Sequence, residues 1–165
     1  MIEKGICCFT GHRDFEETAT HRQKLLFQKL VDNLIRHGYT TFITGGAVGF
    51  DTAAAEYILN KRAQGLNVYL ELIIPCANQD ERWSPLMKQR YHRIMKAADR
   101  VECLHDRYVD GCMLERNRRM VEKSSVCVAF CKKASGGSAY TVKYAKACGV
   151  KVCNIFEMDQ AMEAL

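Results

Sequence analysis

The sequence predicts an α/β protein with a doubly wound, mainly parallel sheet of five to six strands and helices on both faces. Short apolar runs alternate along the chain with longer segments of helical periodicity. Such alternation is typical of parallel strands joined by right-handed crossovers. The apolar runs are nearly continuous, as in strands buried on both faces. No repeat or linker interrupts the pattern, so residues 1–165 are predicted to form one domain.

Six apolar runs are predicted as strands. The first, "KGICCFT", contains two adjacent cysteines, Cys7 and Cys8, which must face opposite sides of a strand. Pro75 stops the third run, because proline cannot donate to a sheet ladder. The predicted strands cover residues 4–10, 40–44, 67–74, 99–104, 125–130 and 150–155.

Helical segments separate these strands. In the first of them, Leu30 and Leu34 belong to an apolar stripe with helical spacing. Gly38, Gly65 and Gly149 follow three of the segments at the position where a capping glycine ends a helix. The predicted helices cover residues 19–37, 51–64, 84–97, 112–123 and 138–148.

Composition restricts the function classes. Hydrophobic residues make up 48% of the chain, but no apolar run approaches the roughly 20 residues that a membrane span needs. The opening "MIEKGICCFTGHRD" does not resemble a signal peptide, so we expect a cytoplasmic protein without a membrane partner. The net charge of +5 suits an anionic ligand.

The nine cysteines are expected to be reduced, because no secretory segment accompanies them. Free cysteine commonly packs as a small buried hydrophobe. The alternative to this packing role is metal binding, by Cys127 with Cys131 or by Cys148 with Cys153. The sequence lacks paired C-x-x-C spacing, and we predict neither a metal nor a cofactor.

Three glycine loops follow strands one, two and five. They read "TGHR" (10–13), "TGGAVG" (44–49) and "SGGS" (135–138). In a doubly wound sheet the ligand lies beyond the carboxyl ends of the strands, near the point where strand order reverses. Glycine allows close backbone approach, and helix N-termini favour anions. The three loops therefore predict a phosphate-bearing ligand at one edge of the sheet.

Fourteen residues form the predicted ligand site. The strict dinucleotide fingerprint and the P-loop lysine are absent, which argues against ordinary NAD redox chemistry and ATP hydrolysis. The predicted site consists of Thr10, Gly11, His12, Arg13, Thr44, Gly45, Gly46, Gly49, Asp51, Arg116, Asn117, Gly136, Gly137 and Ser138.

Several side chains in and near this predicted site have two interpretations. Asp51 is either a helix N-cap or an acid that binds ribose or activates water. Arg116 can bind phosphate through two parallel hydrogen bonds. Trp83 and Tyr140 either stack on a base or pack against the protein, and packing is favoured for both.

The motifs resemble one superfamily in order and context. "TGGAVGFDTAAAEYIL" is similar to a segment of the DNA-processing protein family (DprA/Smf), and "ERNRRM" with "ASGGSAYT" resembles both that family and the lonely-guy (LOG) phosphoribohydrolases. "TGHR" and "ERWSPLMKQRYHRIMKAADRVECLHDRY" look most like the YpsA-like branch of the same SLOG superfamily. The resemblance covers nearly the whole chain and implies a Rossmann-like nucleotide binder that forms a homodimer.

The resemblance also argues against LOG-type catalysis. In LOG enzymes an arginine, matched here by Arg116, acts with a glutamate of the second motif. Lys143 or Tyr144 stands in the place of that glutamate. A lysine neither stabilises an oxocarbenium-like carbon nor activates water. Hydrolysis would need a substitute acid, for which Asp51, Glu56 and Glu115 are candidates.

The leading interpretation is therefore a non-catalytic sensor, carrier or regulator that binds a nucleoside phosphate or an ADP-ribose-like molecule. Hydrolysis of an N-glycosidic bond in a nucleotide or an NAD derivative is the first alternative. Single-stranded DNA binding is the second, and it is not favoured, because the chain lacks an obvious track of aromatic and basic residues.

Overall fold

A computed structural model describes residues 5–164. Six parallel strands form one sheet in the order β4-β3-β2-β1-β5-β6. The strands are β1 (Ile6–Gly11), β2 (Thr41–Thr44), β3 (Tyr69–Ile74), β4 (Arg100–Cys103), β5 (Val126–Phe130) and β6 (Lys151–Asn154). The predicted doubly wound parallel sheet is confirmed. Residue 4 of the predicted first strand lies outside the described residues.

Helices connect the strands and lie close to their predicted positions. They are α1 (Phe15–Thr18), α2 (His21–Arg36), α3 (Phe50–Ala63), α4 (Pro85–Ala97), α5 (Cys112–Glu122), α6 (Gly137–Ala147) and α7 (Ile155–Glu163). Ser84 caps α4 by accepting from the Met87 backbone N–H at 3.3 Å, and Pro85 occupies the first turn, where its missing N–H costs nothing.

Two of these helices are absent from the sequence prediction. The short α1 follows the first glycine loop, and α7 begins where the sixth strand was predicted to continue. The prediction of strand through residue 155 is wrong, because the Asn154 side chain accepts from the Phe156 backbone N–H at 3.2 Å and starts a helix.

The core lies on both faces of the sheet. Neighbouring residues of each strand alternate between the faces, so Cys7 belongs to one apolar cluster and Cys8 to the other, as predicted. Side chains of α2, α3, α4 and α7 pack on the first face, and those of α5 and α6 pack on the second. Among residues 5–164, no helix combines the length and apolar character needed to cross a membrane.

The chain winds outward from β1 to β4 and then returns to β5, which pairs with β1 in register from Cys7–Val126 to Gly11–Phe130. The strand order therefore reverses between β1 and β5. At this point the loops that follow the two strands diverge to opposite faces and leave space for a ligand.

Candidate functional site

A cleft of about 1200 Å³ lies along the carboxyl edge of the sheet. Its walls are the loops after β1, β2, β3 and β5, the segment before α5, and the first turns of α5 itself. This is the edge at which the strand order reverses. The cleft is large enough for a nucleotide-sized ligand.

Ten of the fourteen predicted site residues line this cleft, and four do not. The four that do not line the cleft are Thr44, Gly45, Gly46 and Gly49. The ten that line the cleft are Thr10, Gly11, His12, Arg13, Asp51, Arg116, Asn117, Gly136, Gly137 and Ser138.

The glycines of loop 44–49 make room for other parts of the protein. A Cβ atom on Gly45 would overlap the Arg116 guanidinium, and one on Gly49 would overlap the backbone of Arg13. Gly46 has φ +70° and faces the ring of Tyr91. These glycines therefore permit close packing, which the sequence pattern does not distinguish from close approach to a ligand.

The same loop directs backbone N–H groups at a carboxylate of its own chain. The Ala47 N–H donates to Asp51 Oδ2 at 3.2 Å, and the Gly45 backbone lies near enough to the same carboxylate to lower its pKa. Thr52 donates its hydroxyl to the Ala47 carbonyl at 3.0 Å, which fixes the turn. Asp51 thus holds the position that the sequence assigned to a phosphate.

Asp51 is only 5% exposed although it lines the cleft. Burial raises its pKa to about 6, and the nearby Arg116 and the two loop amides oppose this shift without cancelling it. A carboxyl group that titrates near neutral pH inside a cleft is a candidate for ligand binding or proton transfer.

Arg116 is 5% exposed and is held by three oxygen acceptors. Nε donates to Asn117 Oδ1 at 2.8 Å, and Nη1 donates to the Gly45 carbonyl and to Gln79 Oε1, the latter at 3.3 Å. Within the described part of the chain, the one hydrogen-bond partner of Nη2 is the sulfur of Met113, at 3.8 Å. Burial lowers the pKa of the guanidinium, and Asp51 opposes that shift. Nη2 is therefore the guanidinium nitrogen that remains for an oxygen of a ligand.

The β1 loop presents a neutral histidine. His12 Nε2 accepts from the Lys132 backbone N–H at 2.8 Å, so the ring proton is on Nδ1. Burial and the Lys132 charge lower the pKa of His12. Gly11 packs against the Phe50 ring, and Arg13 projects into solvent at the edge of the cleft. His12 therefore carries a neutral hydrogen-bond donor at Nδ1, and Arg13 adds an exposed positive charge to the lining of the cleft.

The third glycine loop faces open space. No atom lies within 4 Å of a Cβ built on Gly136 or Gly137, and Gly136 has φ +102°. Both glycines and Ser138 start α6, whose N-terminus has no side-chain cap. Exposed N–H groups at the start of an 11-residue helix favour an anion. Lys133 lines the same part of the cleft.

The other acids that could substitute for the LOG glutamate lie outside the cleft, and so do the two residues that stand in its place. Glu115 pairs with His105 at 2.8 Å and Glu56 pairs with Arg90 at 2.5 Å, and neither acid lines the cleft. Lys143 is exposed, and the Tyr144 hydroxyl donates to Glu122 at 2.6 Å. Of the acids considered as substitutes, Asp51 is thus the one that the structure brings to the cleft.

Sequence reasoning missed the contribution of the loop after β3, which contains no glycine. Gln79 in this loop is 9% exposed and contacts both Arg116 and Gly45. The cleft residues outside the predicted set include Ala47, Cys76, Asn78, Gln79, Arg82, Tyr108 and Lys133. Pro75, which ends the strand, is the one signal that located this loop at the edge of the sheet.

The two aromatic candidates both pack against the protein. Trp83 lines the cleft, and its ring meets Tyr91 edge to face at a centroid distance of 5.0 Å. Tyr140 stacks on Tyr144 at 6.2 Å and accepts a hydrogen bond from Arg118 at 2.9 Å.

All nine cysteines are free, and six of them are buried. Within residues 5–164, no group of three or more His, Cys, Asp or Glu side chains is arranged to hold a metal ion.

Comparison with known proteins identifies a family whose model matches most of the chain. The model of the YspA SLOG family matches residues 7–159. A UPF0398 protein from Bacillus pumilus is 28% identical over 151 residues, which is 86% of this chain and 81% of the relative. The SPbeta prophage-derived protein YoqJ from Bacillus subtilis is 34% identical over 121 residues, which is 64% of this chain and 68% of YoqJ.

A solved structure supports the fold. DNA processing protein A from Helicobacter pylori, described for its single-stranded DNA binding mode, superposes with a TM-score of 0.64 at 22% identity. The match covers 89% of this chain but only 63% of the Helicobacter pylori chain. At this identity the likeness establishes the fold alone.

Gly45→Ala tests how the Arg116 site is packed. The added methyl group would displace the guanidinium from its acceptors, and we expect a loss of about 1–3 kcal/mol in the free energy of unfolding. Gly137→Ala is the matched control, because its methyl group would enter open space without a positive φ. Urea unfolding measures both variants. Equal stability of the two would contradict the packing role of Gly45.

Asp51→Asn tests the buried carboxyl. The pKa is about 6 in the folded protein and near 3.8 when unfolded, so the folded state binds protons more tightly. Wild-type stability should then fall as pH rises from about 4 to 6, and the penalty persists above pH 6. From thermal unfolding, we expect the free energy of unfolding of Asp51→Asn to exceed that of wild type by about 1–3 kcal/mol at pH 7.5 and to match it near pH 4.

The exposed Asp14→Asn is the control for this pH series, since Asp14 makes no side-chain cap bond. A wild-type advantage over Asp51→Asn at pH 7.5 would show that the Asp51 carboxylate is stabilised rather than penalised.

Proposed function

Because the chain belongs to the YspA SLOG family, we propose that it binds a nucleoside phosphate or an ADP-ribose-like ligand in the cleft at the carboxyl edge of the sheet. The protein acts as a non-catalytic sensor, carrier or regulator. The buried Arg116 carries this proposal, because its Nη2 group remains available in a cleft that also receives the N-terminus of α6.

The charges around the cleft agree with an anionic ligand. Four basic side chains and three acidic ones line it, which leaves an excess of positive charge; the bases are Arg13, Arg82, Arg116 and Lys133, and the acids are Asp14, Asp51 and Glu81. The phosphate would bind the open amides of residues 136–138, and Arg116 Nη2 would bind a second ligand oxygen. The Asp51 carboxylate can accept a hydrogen bond from a ribose hydroxyl.

Isothermal titration against AMP, ADP, ADP-ribose and cyclic nucleotides tests the proposal. We expect at least one to bind, and Arg116→Lys to weaken its binding by about 10-fold or more, because lysine cannot reproduce the buried fork of hydrogen bonds. Arg119→Lys is the control: it changes the same helix, but Arg119 pairs with Glu102 at 3.1 Å and does not line the cleft.

No heat and no thermal shift with any of these ligands would overturn the proposal. A single-stranded oligonucleotide belongs in the same experiment, because the Helicobacter pylori relative in fold binds single-stranded DNA. DNA binding predicts an affinity that falls steeply with salt, by a slope of about 0.7 per phosphate contacted. Such behaviour without binding of free nucleotides would favour the DNA interpretation.

N-glycosidic hydrolysis is a second candidate, and the Asp51 carboxyl favours it. This group lines the cleft and has a pKa of about 6, so it can exchange a proton near neutral pH. Chromatography of nucleotide incubations at pH 5–8 would detect the free base. Release of free base by wild type that is abolished in Asp51→Asn would establish hydrolysis. If wild type released no free base at any pH, this second candidate would be rejected and binding would remain as the proposed function.

Homodimerisation and a cytoplasmic location stay predictions, the first from the family resemblance and the second from composition.

A further inference from the structure

Tyr108 stands at the mouth of the cleft with 55% of its surface exposed. It lies in the segment between β4 and α5. The adjacent Val109 and the nearby cleft residue Met113 are also large, apolar and exposed, at 44% and 36%. A group of exposed apolar side chains beside a cleft indicates a contact surface for a ligand.

The backbone around Tyr108 is held in place. Its N–H donates to Asn78 Oδ1 at 2.9 Å, and the Ala77 N–H donates to the His105 carbonyl at 2.9 Å. His105 in turn pairs with Glu115 on α5 at 2.8 Å. The Tyr108 ring has no aromatic partner among residues 5–164, in contrast to Trp83, which packs on Tyr91. Because its backbone is held by hydrogen bonds and its ring has no aromatic partner among the described residues, Tyr108 can stack on a planar group of a ligand.

The end of the cleft at Tyr108 is far from the end at residues 136–138, where the phosphate is proposed to bind. Asn78, which anchors Tyr108, follows β3, and the loop of residues 136–138 follows β5. Strands β2 and β1 lie between β3 and β5, which makes three strand spacings. At about 4.8 Å for each spacing, the strands that lead to the two ends are about 14 Å apart.

Residues of α5 connect the two ends. Met113 and Arg116 are one turn apart on this helix, and the Met113 sulfur lies 3.8 Å from Arg116 Nη2. A ligand that extends from Tyr108 toward α6 therefore passes the available guanidinium nitrogen and the Asp51 carboxyl.

We infer that Tyr108 is the stacking site for the nucleobase of an extended nucleotide, whose diphosphate reaches the amides of residues 136–138. This inference rests on the proposed nucleotide-binding function. In a nucleoside monophosphate only one ribose separates base from phosphate, so a diphosphate or a longer bridge is needed to occupy both ends at once. Tyr108 thereby selects for a base, and the distance selects for ligand length.

Fluorescence of Trp83, the single tryptophan, gives a direct readout because this residue lines the cleft. ADP, AMP and pyrophosphate are titrated into wild type, Tyr108→Ala and Tyr108→Phe. Tyr69→Ala is the control, since Tyr69 is 48% exposed but lies at the amino end of β3, outside the cleft.

We expect Tyr108→Ala to weaken ADP binding about 5- to 150-fold, the range found for the loss of one base–aromatic stack. Tyr108→Phe keeps the ring and should bind ADP as wild type does. Pyrophosphate, which has no base, should bind all four proteins equally, and wild type should bind ADP more tightly than AMP.

Unchanged ADP affinity in Tyr108→Ala would overturn the stacking site while leaving the proposed function intact. Equal losses for ADP and pyrophosphate would also overturn it, because they would mean that the cleft itself had changed. AMP binding as tight as ADP would overturn the requirement for an extended ligand. If wild type bound neither ADP nor AMP, this inference would fail, and the proposed function would fail with it if ADP-ribose and cyclic nucleotides did not bind either.

Discussion

The cleft depends on one buried positive charge. Burying a guanidinium is costly unless its hydrogen bonds are satisfied, so the chain must bring oxygen acceptors to Arg116. The Gly45 carbonyl comes from the loop after β2, the Gln79 side chain from the loop after β3, and Asn117 from α5 itself. Arg116 thus joins three separate parts of the structure into one wall, and Gly45 lacks a side chain because the guanidinium occupies that space.

The same charge determines the chemistry that the cleft can perform. Asp51 lies near enough for Arg116 to lower its pKa, yet burial prevails and the group titrates near pH 6. Because Asp51 takes the amides of its own loop, an incoming phosphate finds open amides at Gly136 and Gly137 instead. The cleft therefore has a buried acid and arginine in the middle, an open helix N-terminus at one end and an aromatic ring, Tyr108, at the other.

Much of this arrangement could be predicted from the sequence, since apolar runs and helical stripes report burial directly. The loops after β1, β2 and β5 were placed correctly at one edge, because parallel strands end together. The pattern could not show which way a glycine faces: Gly46 faces Tyr91, whereas Gly137 faces open space. Nor could it associate Gln79 with Arg116, 37 residues apart, because their contact exists only once the sheet brings both loops together.

Chemical-shift mapping on protein labelled with ¹⁵N tests the central claim most directly, because it reports where a nucleotide binds as well as whether it does. On addition of ADP, the account predicts the largest changes at the backbone amides of Gly136 and Gly137 and at the side-chain Nε–H of Arg116. Changes confined to residues outside the cleft, or no changes at all, would contradict it.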